Sequence, residues 1–190
     1  MKKKNLNLKV VLVEPSGPIN VGSIARLCSN FEINELRIVA PKCDIFSLEA
    51  KKMALKGQSY IDNCKIFNSI EQSIFDCNLV LATCGRLDLS NDIKCESPDA
   101  ISSWISSFKE INNIAILFGR EDRGLTNSEL LFAHKIFNIK TSQNYPSLNL
   151  SHAVSIILYE LNKCSTNNLK KDLQVFNLAS SKQIYESCIE

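Results

Sequence analysis

The stretch Ile114-Ala-Ile-Leu-Phe118-Gly-Arg-Glu-Asp-Arg-Gly124-Leu-Thr126 runs from a continuous apolar segment through a charged turn to the start of a helical pattern. Its apolar run predicts a strand that is buried on both faces, as in a parallel sheet. Thr126 followed by Glu129 is a capping-box pattern and predicts that a helix begins there. A strand, a polar loop and a helix in this order predict a βα unit of a parallel α/β fold.

Short β-branched apolar runs alternate with amphipathic stretches along the rest of the chain. We predict strands at 8–13, 35–39, 64–67, 78–83, 114–118 and 135–139. We predict helices at 20–31, 47–56, 70–76, 98–108, 126–133 and 149–163. This alternation predicts an α/β/α sandwich with a parallel sheet. We expect one domain over residues 1–164, then a short linker and a peripheral helix over 165–190.

The composition favours one domain with a full core, because 190 residues of which 45% are hydrophobic fall in the usual size range of single domains. No apolar run approaches the roughly 20 residues that span a bilayer, and none follows the Lys-rich N-terminus as in a signal peptide. We therefore expect an unexported, cytoplasmic protein. The eight cysteines are scattered and include no Cys-x-x-Cys pair, so we expect reduced thiols and no metal site.

The net charge of +2 is a weak indication of a nucleic-acid partner, because surfaces that bind phosphate usually carry a strong positive patch. The positions of the arginines are more informative. Most of them lie in or beside glycine-containing loops, where a planar guanidinium can contact phosphate or carboxylate. The arginines that we treat as candidate RNA contacts are Arg26, Arg86, Arg120 and Arg123.

The segment Pro15-Ser-Gly-Pro-Ile-Asn20-Val-Gly22-Ser-Ile-Ala-Arg26 follows the first predicted strand. Asn is a favoured N-cap residue, so we predict that Asn20 caps the helix that begins there. Gly22 lies one turn before Arg26 on the same face, and its missing side chain would leave room for a substrate beside a positive charge. A capped surface helix with an ordinary exposed arginine explains this segment equally well.

The charged turn carries four charged residues between Gly119 and Gly124. In open parallel sheets, ligands bind beyond the carboxyl ends of strands, where glycine permits close approach of the backbone. The alternative is a solvated loop whose Arg–Glu pairs contribute about 0–1 kcal/mol each. The glycine spacing is similar to that of a phosphate loop, but the lysine required after the second glycine is missing. The dinucleotide-binding pattern of glycines is also absent after the first strand.

The segment Tyr145-Pro-Ser147-Leu148-Asn149-Leu-Ser-His152 leads into the most apolar predicted helix. Apolar residues cover more than one face of that helix, so we expect it to be buried by the sheet and by a second subunit. His152 could serve as a general base, but we interpret it as a partly buried structural histidine. His134 has no motif around it.

Together, these segments resemble the three signature motifs of the SpoU branch of the SPOUT methyltransferase superfamily. The matching patterns are Asn20-x-Gly22-x-x-x-Arg26, Phe118-Gly119-x-Glu121-x-x-Gly124-Leu125 and Ser147-Leu148-Asn149, in this order within roughly residues 9–163. The resemblance implies a parallel α/β fold with a deep C-terminal trefoil knot. It also implies RNA ribose 2′-O-methylation with S-adenosyl-L-methionine, and a homodimer that packs through the knot helices. Within the branch, Leu125-Thr126-Asn127 and the segment from Tyr145 are most similar to members that modify the 5′ end of the tRNA anticodon loop.

The resemblance also assigns roles to residues. It implies that backbone groups of three loops hold the cofactor, at Thr83, Cys84, Gly85, Gly119, Ile139, Ser147, Leu148 and Asn149. It implies a catalytic set of Arg26, Asn20, Glu121 and Asn149. Because a guanidinium rarely gives up its proton, we expect Arg26 to stabilise the developing alkoxide or to hold the adjacent phosphate. Glu121 would orient Arg26 or contact the substrate, and Asn149 would order the cofactor loop.

Three other interpretations remain open at this point. The substrate is tRNA or, as the alternative, rRNA. The domain could also be a non-catalytic RNA-binding protein that keeps the fold, which the intact motifs disfavour. A nucleotide hydrolase is disfavoured by the missing phosphate-loop lysines. The segment after Cys164 is shorter than the C-terminal extension of the most similar members, so the resemblance implies the reaction more firmly than the RNA.

Overall fold

The structure is a computed structural model that describes residues 6–85, 94–108, 112–142 and 144–166. Within these ranges, a seven-stranded parallel sheet forms its centre. The strands are β1 (Asn7–Val13), β2 (Glu35–Val39), β3 (Lys65–Phe67), β4 (Leu79–Thr83), β5 (Cys95–Glu96), β6 (Asn113–Phe118) and β7 (Lys135–Phe137). Their order across the sheet is β3-β2-β1-β6-β4-β7-β5, and every neighbouring pair is parallel. The predicted parallel α/β fold is confirmed.

Helices cover both faces of the sheet. They are α1 (Pro18–Asn30), α2 (Leu48–Ala54), α3 (Gln58–Asp62), α4 (Ile70–Ile74), α5 (Ala100–Ser106), α6 (Asn127–Leu130) and α7 (Leu150–Thr166). One core joins α1, α2, α3, α5 and α7 to one face, and a second core joins α4 and α6 to the other. Within the described ranges, none of these helices combines the length and the apolar character that a membrane crossing requires.

Some predicted boundaries differ from the structure. The two-residue strand β5 and the short helix α3 were not predicted, because neither is long enough to show a period. The helix predicted at 126–133 ends at Leu130, and the chain continues in tight turns in which Phe132 and Ala133 donate to carbonyls three residues back. Helix α7 continues to Thr166, two residues into the predicted linker. Residues 167–190, where we predict a peripheral helix, lie outside the described residues.

The order of the strands determines where the loops meet. Strands β1, β6, β4 and β7 are consecutive neighbours in the sheet, and all run in the same direction. The loops that follow them therefore leave from the same edge, at the carboxyl ends of the strands. Since the three motifs of the sequence lie in these loops, the fold brings them together although they are far apart in the chain.

Gly22 does not provide open space beside Arg26, so that interpretation is wrong. It is buried where α1 packs on α2, and a Cβ atom there would lie 2.2 Å from the carbonyl oxygen of Ala50 and 2.8 Å from Cβ of Met53. The obstacle is mainly backbone, which cannot move aside by a change of rotamer. The small residue at this position permits close packing of two helices and not the approach of a substrate.

Replacing Gly22 with alanine is expected to lower the free energy of unfolding by about 3 kcal/mol, because α1 and α2 must separate to admit the methyl group. Chemical denaturation monitored by circular dichroism measures the change. Gly85→Ala is the matched control, since a Cβ atom at Gly85 would meet nothing within 4 Å. Equal stability of the two variants would contradict the assigned role of Gly22.

A cluster of charged side chains is buried on the α4 side of the sheet. Lys9 on β1 and Arg37 on β2 are 2% and 1% exposed, and both contact Asp76, which follows α4. The Lys9 Nζ atom lies 2.7 Å from one carboxylate oxygen of Asp76, and the Arg37 guanidinium donates to both oxygens at 2.7 and 2.9 Å. Arg37 also pairs with Glu35 and donates to the Ser73 carbonyl. Asp76 is therefore the shared counter-ion of two buried cations.

Candidate active site

The loop after β1 leads directly into α1, which begins earlier than predicted. Gly17 is the N-cap residue, Pro18 opens the helix, and Asn20 lies in the first turn. The prediction that Asn20 caps this helix is therefore wrong. Proline is well suited to the first helical position for two reasons. Its fixed φ is helical, and an N–H group at this position would have no acceptor within the helix. The Asn20 side chain is consequently available for contacts with other loops.

Glu121 connects the loop after β6 with the loop after β1. One carboxylate oxygen accepts hydrogen bonds from the Ser16 amide at 3.1 Å and the Ser16 hydroxyl at 2.9 Å. The other accepts from the Gly17 amide at 3.0 Å and from Nδ2 of Asn20 at 3.1 Å. Burial opposes ionisation of Glu121, but the bonds from Asn20 and from the Ser16 and Gly17 amides outweigh it and lower the pKa below the usual range of a glutamate. Glu121 is therefore a carboxylate at neutral pH.

Asn20 extends this contact to the third motif. Its Oδ1 atom accepts a hydrogen bond of 3.0 Å from Nδ2 of Asn149. Asn149 in turn accepts bonds from the Ser151 amide at 2.8 Å and the Ser151 hydroxyl at 2.7 Å, which places its side chain at the start of α7. A continuous hydrogen-bonded chain thus runs from Glu121 through Asn20 to Asn149 and joins all three motifs.

A cleft opens beside this chain at the carboxyl edge of the sheet. It is lined by Thr83, Cys84, Gly85, residues 119–124, Ile139, Pro146, Ser147, Leu148, Leu150 and Ala153. The structure therefore brings together every residue predicted to hold the cofactor except Asn149, which lies next to the lining residues and belongs to the polar chain. Asn138 was not predicted, yet its Nδ2 atom donates to the Cys84 carbonyl at 2.7 Å and ties two of the lining loops together. Its position directly after a strand was the available signal.

The two glycines of the loop after β6 are required by the backbone conformation of that loop. A Cβ atom on Gly119 would lie 2.2 Å from the carbonyl carbon of Gly124, because the loop closes back on its own start. The Gly124 amide donates to the Arg120 carbonyl at 2.9 Å, and Gly124 has a φ of 67°, which favours glycine. The close approach that Gly119 permits is therefore that of residues 124 and 125 in its own loop.

Arg120 is held inside the protein by two glutamates. Its Nε atom donates to Glu14 at 2.7 Å, and its two terminal nitrogens donate to Glu129 at 2.8 and 2.9 Å. The side chain is only 11% exposed. The hydrogen bond from Arg120 lowers the pKa of Glu14, so these groups stay charged at neutral pH. The prediction of Arg120 as an RNA contact is therefore withdrawn, and Glu14 and Glu129 are the partners that the sequence did not reveal.

The other candidate arginines are placed differently. Arg26 is exposed on α1, and no described residue forms a hydrogen bond or an ion pair with its guanidinium. Glu121 does not orient Arg26 directly, since its oxygens contact Ser16, Gly17 and Asn20. Arg123 is 62% exposed at the rim of the cleft. Arg86 lies outside the described residues.

Neither histidine lies in a catalytic arrangement within the described ranges. His152 is exposed on α7 within one chain, so the single chain gives no support for a partly buried structural histidine. The Nδ1 atom of His134 accepts a hydrogen bond of 3.1 Å from the Val80 amide at the start of β4. Among the described residues, no group of three or more His, Cys, Asp or Glu side chains is arranged to hold a metal ion.

Known proteins of similar sequence indicate the family of this chain. The sequence model of the SpoU rRNA Methylase family matches residues 7–159. A tRNA (cytidine-2′-O-)-methyltransferase, TrmJ, of Methanocaldococcus jannaschii is 39% identical over 170 residues, which are 88% of this chain and 73% of the relative. The TrmJ of Sulfolobus acidocaldarius is 40% identical over 157 residues, which are 82% of this chain and 65% of that relative.

A solved structure of a probable methylase family protein from Haemophilus influenzae Rd KW20 has a similar fold. It superposes with a TM-score of 0.78 at 30% identity, covering 95% of this chain and 75% of the other. Residues 7–159, which the family model matches, contain the strands of the sheet, the residues that line the cleft and the three motifs joined by Glu121, Asn20 and Asn149. The match to the family model and the identity to these relatives show that the chain belongs to the SpoU rRNA methylase family of methyltransferases.

Proposed function

We propose that this protein transfers a methyl group from S-adenosyl-L-methionine to a ribose 2′-hydroxyl of tRNA, at the 5′ nucleotide of the anticodon loop. The observation that supports this most strongly is the hydrogen-bonded chain of Glu121, Asn20 and Asn149 beside the cleft. The names of the archaeal relatives, tRNA (cytidine-2′-O-)-methyltransferases, favour tRNA and the ribose hydroxyl.

The lining of the cleft is compatible with S-adenosyl-L-methionine. Ile139, Leu148, Leu150 and Ala153 offer apolar contact for an adenine ring. Gly85 is exposed, and the space where a Cβ atom would lie is open, so a ligand can approach its backbone closely. The adjacent loops at Gly119 and Ser147 contribute further backbone groups for hydrogen bonding. A site built from backbone groups needs no single acidic residue for the ribose.

When bound, the cofactor supplies a sulfonium methyl group, so that an O–C bond forms at the 2′ oxygen as the S–C bond breaks. The hydroxyl passes its proton to solvent water during this step, and negative charge develops on its oxygen. Arg26 can donate to that oxygen or to the neighbouring phosphate because none of the described residues engages its guanidinium. In either role it acts as a cation and not as a base.

Glu121, Asn20 and Asn149 are assigned a positioning role. Glu121 accepts from two backbone amides at the start of α1, the helix that carries Arg26. Asn149 contacts both Asn20 and the first turn of α7. The chain therefore fixes α1 relative to the loops that line the cleft. Such rigid support keeps a catalytic group aligned with the position of the reacting atom.

The trefoil knot implied by the resemblance is part of the proposal. Strand β6 is inserted between β1 and β4, and β7 between β4 and β5. The loops that follow β6 and β7 therefore leave the sheet on either side of β4, and both line the same cleft. Threading one loop past the other requires such proximity, although knots are nearly absent from proteins in general.

We also propose a homodimer that packs through α7. His152, Ile156 and Tyr159 recur at helical spacing on α7 and are exposed, whereas Val154, Leu158 and Leu161 are buried. A dimer would place two copies of Arg26 and Arg123 on one RNA-binding surface, which compensates for the modest net charge.

Replacing both Ile156 and Tyr159 with aspartate is expected to convert the dimer into a monomer, because the buried carboxylates would lose their hydration. Light scattering at micromolar concentration measures the mass of both forms. Phe75→Asp is the control, since Phe75 is an equally apolar and more exposed residue beside α4 on the opposite face of the sheet. A wild-type protein with the mass of one chain would refute the dimer.

The proposed function is tested by incubating the protein with radiolabelled S-adenosyl-L-methionine and separate pools of tRNA and rRNA. We expect label in tRNA, resistant to alkaline cleavage at the modified ribose. The family description names rRNA. Label confined to rRNA would therefore support the proposed reaction but identify rRNA, and not tRNA, as the substrate. Tight binding of the cofactor without label in either pool would support the non-catalytic alternative.

A further inference from the structure

The loop after β2 carries Lys42 to the loop that precedes α1. The Lys42 amide donates to the Pro15 carbonyl at 2.9 Å, which fixes this loop on the loop that precedes α1. On the preceding side, the Glu14 amide donates to the Val39 carbonyl at 2.8 Å. Residues 40–42 therefore lie beside Ser16, whose amide and hydroxyl contact Glu121. The backbone from Val39 to Lys42 is therefore anchored at both of its ends to residues 14 and 15.

Lys42 and Arg123 approach the same carboxylate from two different loops. The Nζ atom of Lys42 lies 3.8 Å from one oxygen of Glu14, and a terminal nitrogen of Arg123 lies 3.7 Å from the other. Both distances are too long for hydrogen bonds. Glu14 is already engaged by Arg120 at 2.7 Å. Glu14 thus holds the two cations near each other while leaving their N–H groups available.

The exposed fractions of Arg120, Lys42 and Arg123 indicate that these three cations have different functions. Arg120 is 11% exposed and bonded to two carboxylates, whereas Lys42 and Arg123 are 58% and 62% exposed. Asp122 also lies 3.7 Å from Arg123, but it is strongly exposed, and such a pair contributes about 0–1 kcal/mol in water. An incoming phosphate can displace this weak contact, since charge-assisted bonds to phosphate are shorter and stronger.

We propose that Lys42 and Arg123 form a phosphate clamp for the RNA backbone at the rim of the cleft, with Glu14 as the residue that positions them. The inference rests on the proposed function, because it takes RNA as the substrate. Phosphate contacts fix the register of a nucleic acid and carry no sequence information. The clamp would therefore orient the RNA strand so that one ribose reaches the cleft, whatever the sequence of bases.

The test compares Lys42→Gln, Arg123→Gln and the double variant with the wild type. Fluorescence anisotropy measures the affinity for an unmodified tRNA transcript over a range of KCl concentrations, and calorimetry measures cofactor binding. Each single variant is expected to weaken tRNA binding about three- to tenfold and to reduce the slope of log affinity against log salt by about 0.7–0.9. Affinity for S-adenosyl-L-methionine should stay within about twofold in Lys42→Gln, since Lys42 is not among the residues that line the cleft.

Lys65→Gln is the matched control. Lys65 is 59% exposed and pairs with one glutamate, as Lys42 does, but it begins β3 and so lies at the opposite edge of the sheet. An equal effect of Lys65→Gln would show a general effect of net charge and overturn the clamp. An unchanged salt slope in Lys42→Gln and Arg123→Gln would also overturn it, even if the wild type methylates tRNA. A wild-type protein that binds RNA but does not methylate it would refute the proposed function. The slopes of log affinity against log salt would still show whether Lys42 and Arg123 contact phosphates.

Discussion

Replacing Arg26 with alanine is expected to reduce methyl transfer to RNA at least about 10²–10³-fold, because the variant loses a group that stabilises developing negative charge. Arg26 is exposed, and no described residue bonds to its guanidinium, so the fold does not depend on it. It also does not line the cleft, so cofactor binding should be unaffected. Single-turnover transfer of radiolabelled methyl groups measures the first effect, and calorimetry measures the second.

Arg26→Lys distinguishes the two roles considered for this arginine. A lysine retains the positive charge but cannot contact a phosphate through two parallel N–H groups. Recovery of most of the activity would therefore favour simple charge stabilisation, and failure to recover it would favour a bidentate contact. Turnover near the wild-type rate in Arg26→Ala would refute the assignment of Arg26. Thermal denaturation of both variants should match the wild type, which excludes a folding defect.

Replacing Asp76 with alanine is expected to lower the free energy of unfolding by about 3 kcal/mol, because it leaves the buried Lys9 without a counter-ion and the buried Arg37 with Glu35 alone. Lys9 and Arg37 are almost fully buried and both contact this carboxylate. Chemical denaturation measures the change. Asp62→Ala is the control, since Asp62 is exposed at the end of α3; its replacement should change stability by no more than about 0.5 kcal/mol.

The stabilisation by Asp76 should also depend on pH. The hydrogen bonds from Arg37, and then those from Lys9, hold the pKa of Asp76 far below the usual range of an aspartate. A group whose pKa is lowered by folding stabilises the protein above its unfolded pKa, near 4, and loses that contribution as the pH falls through the folded value. The difference in stability between the wild type and Asp76→Ala should therefore be largest above about pH 4 and shrink below it. A difference that does not vary with pH would contradict the role of the charge.

The fold was predictable because its signals are local. Each of the predicted strands is present, since an apolar β-branched run reports burial on both faces of a parallel sheet. The capping box of Thr126 and Glu129 is also present. The errors lie where the chain is shaped by packing: Asn20 is not a cap because Gly17 and Pro18 start the helix, and Gly22 is buried by α2.

The contacts of the charged residues could not be predicted. Arg120 and Arg123 are three positions apart in the same loop, yet one is bonded to Glu14 and Glu129 and the other is exposed. Composition and spacing along the chain do not distinguish these two arginines. Their difference arises from the distance of each side chain to Glu14, which follows β1, and to Glu129 on α6, and those distances are set only when the loop packs against the sheet. The same reason explains why Lys42 was not recognised.

By itself, the sequence determined the parallel α/β fold, the position of polar loops after the strands and the three motifs of the SpoU family, because these depend on residue type and on spacing along the chain. The tertiary structure alone decided which of these residues meet. Glu121 and Asn20 are 101 positions apart, and Asn20 and Asn149 are 129 apart, yet they form one chain of hydrogen bonds. They meet because the strand order makes β1, β6, β4 and β7 neighbours, and hydrogen bonds form only between groups that packing brings within about 3 Å.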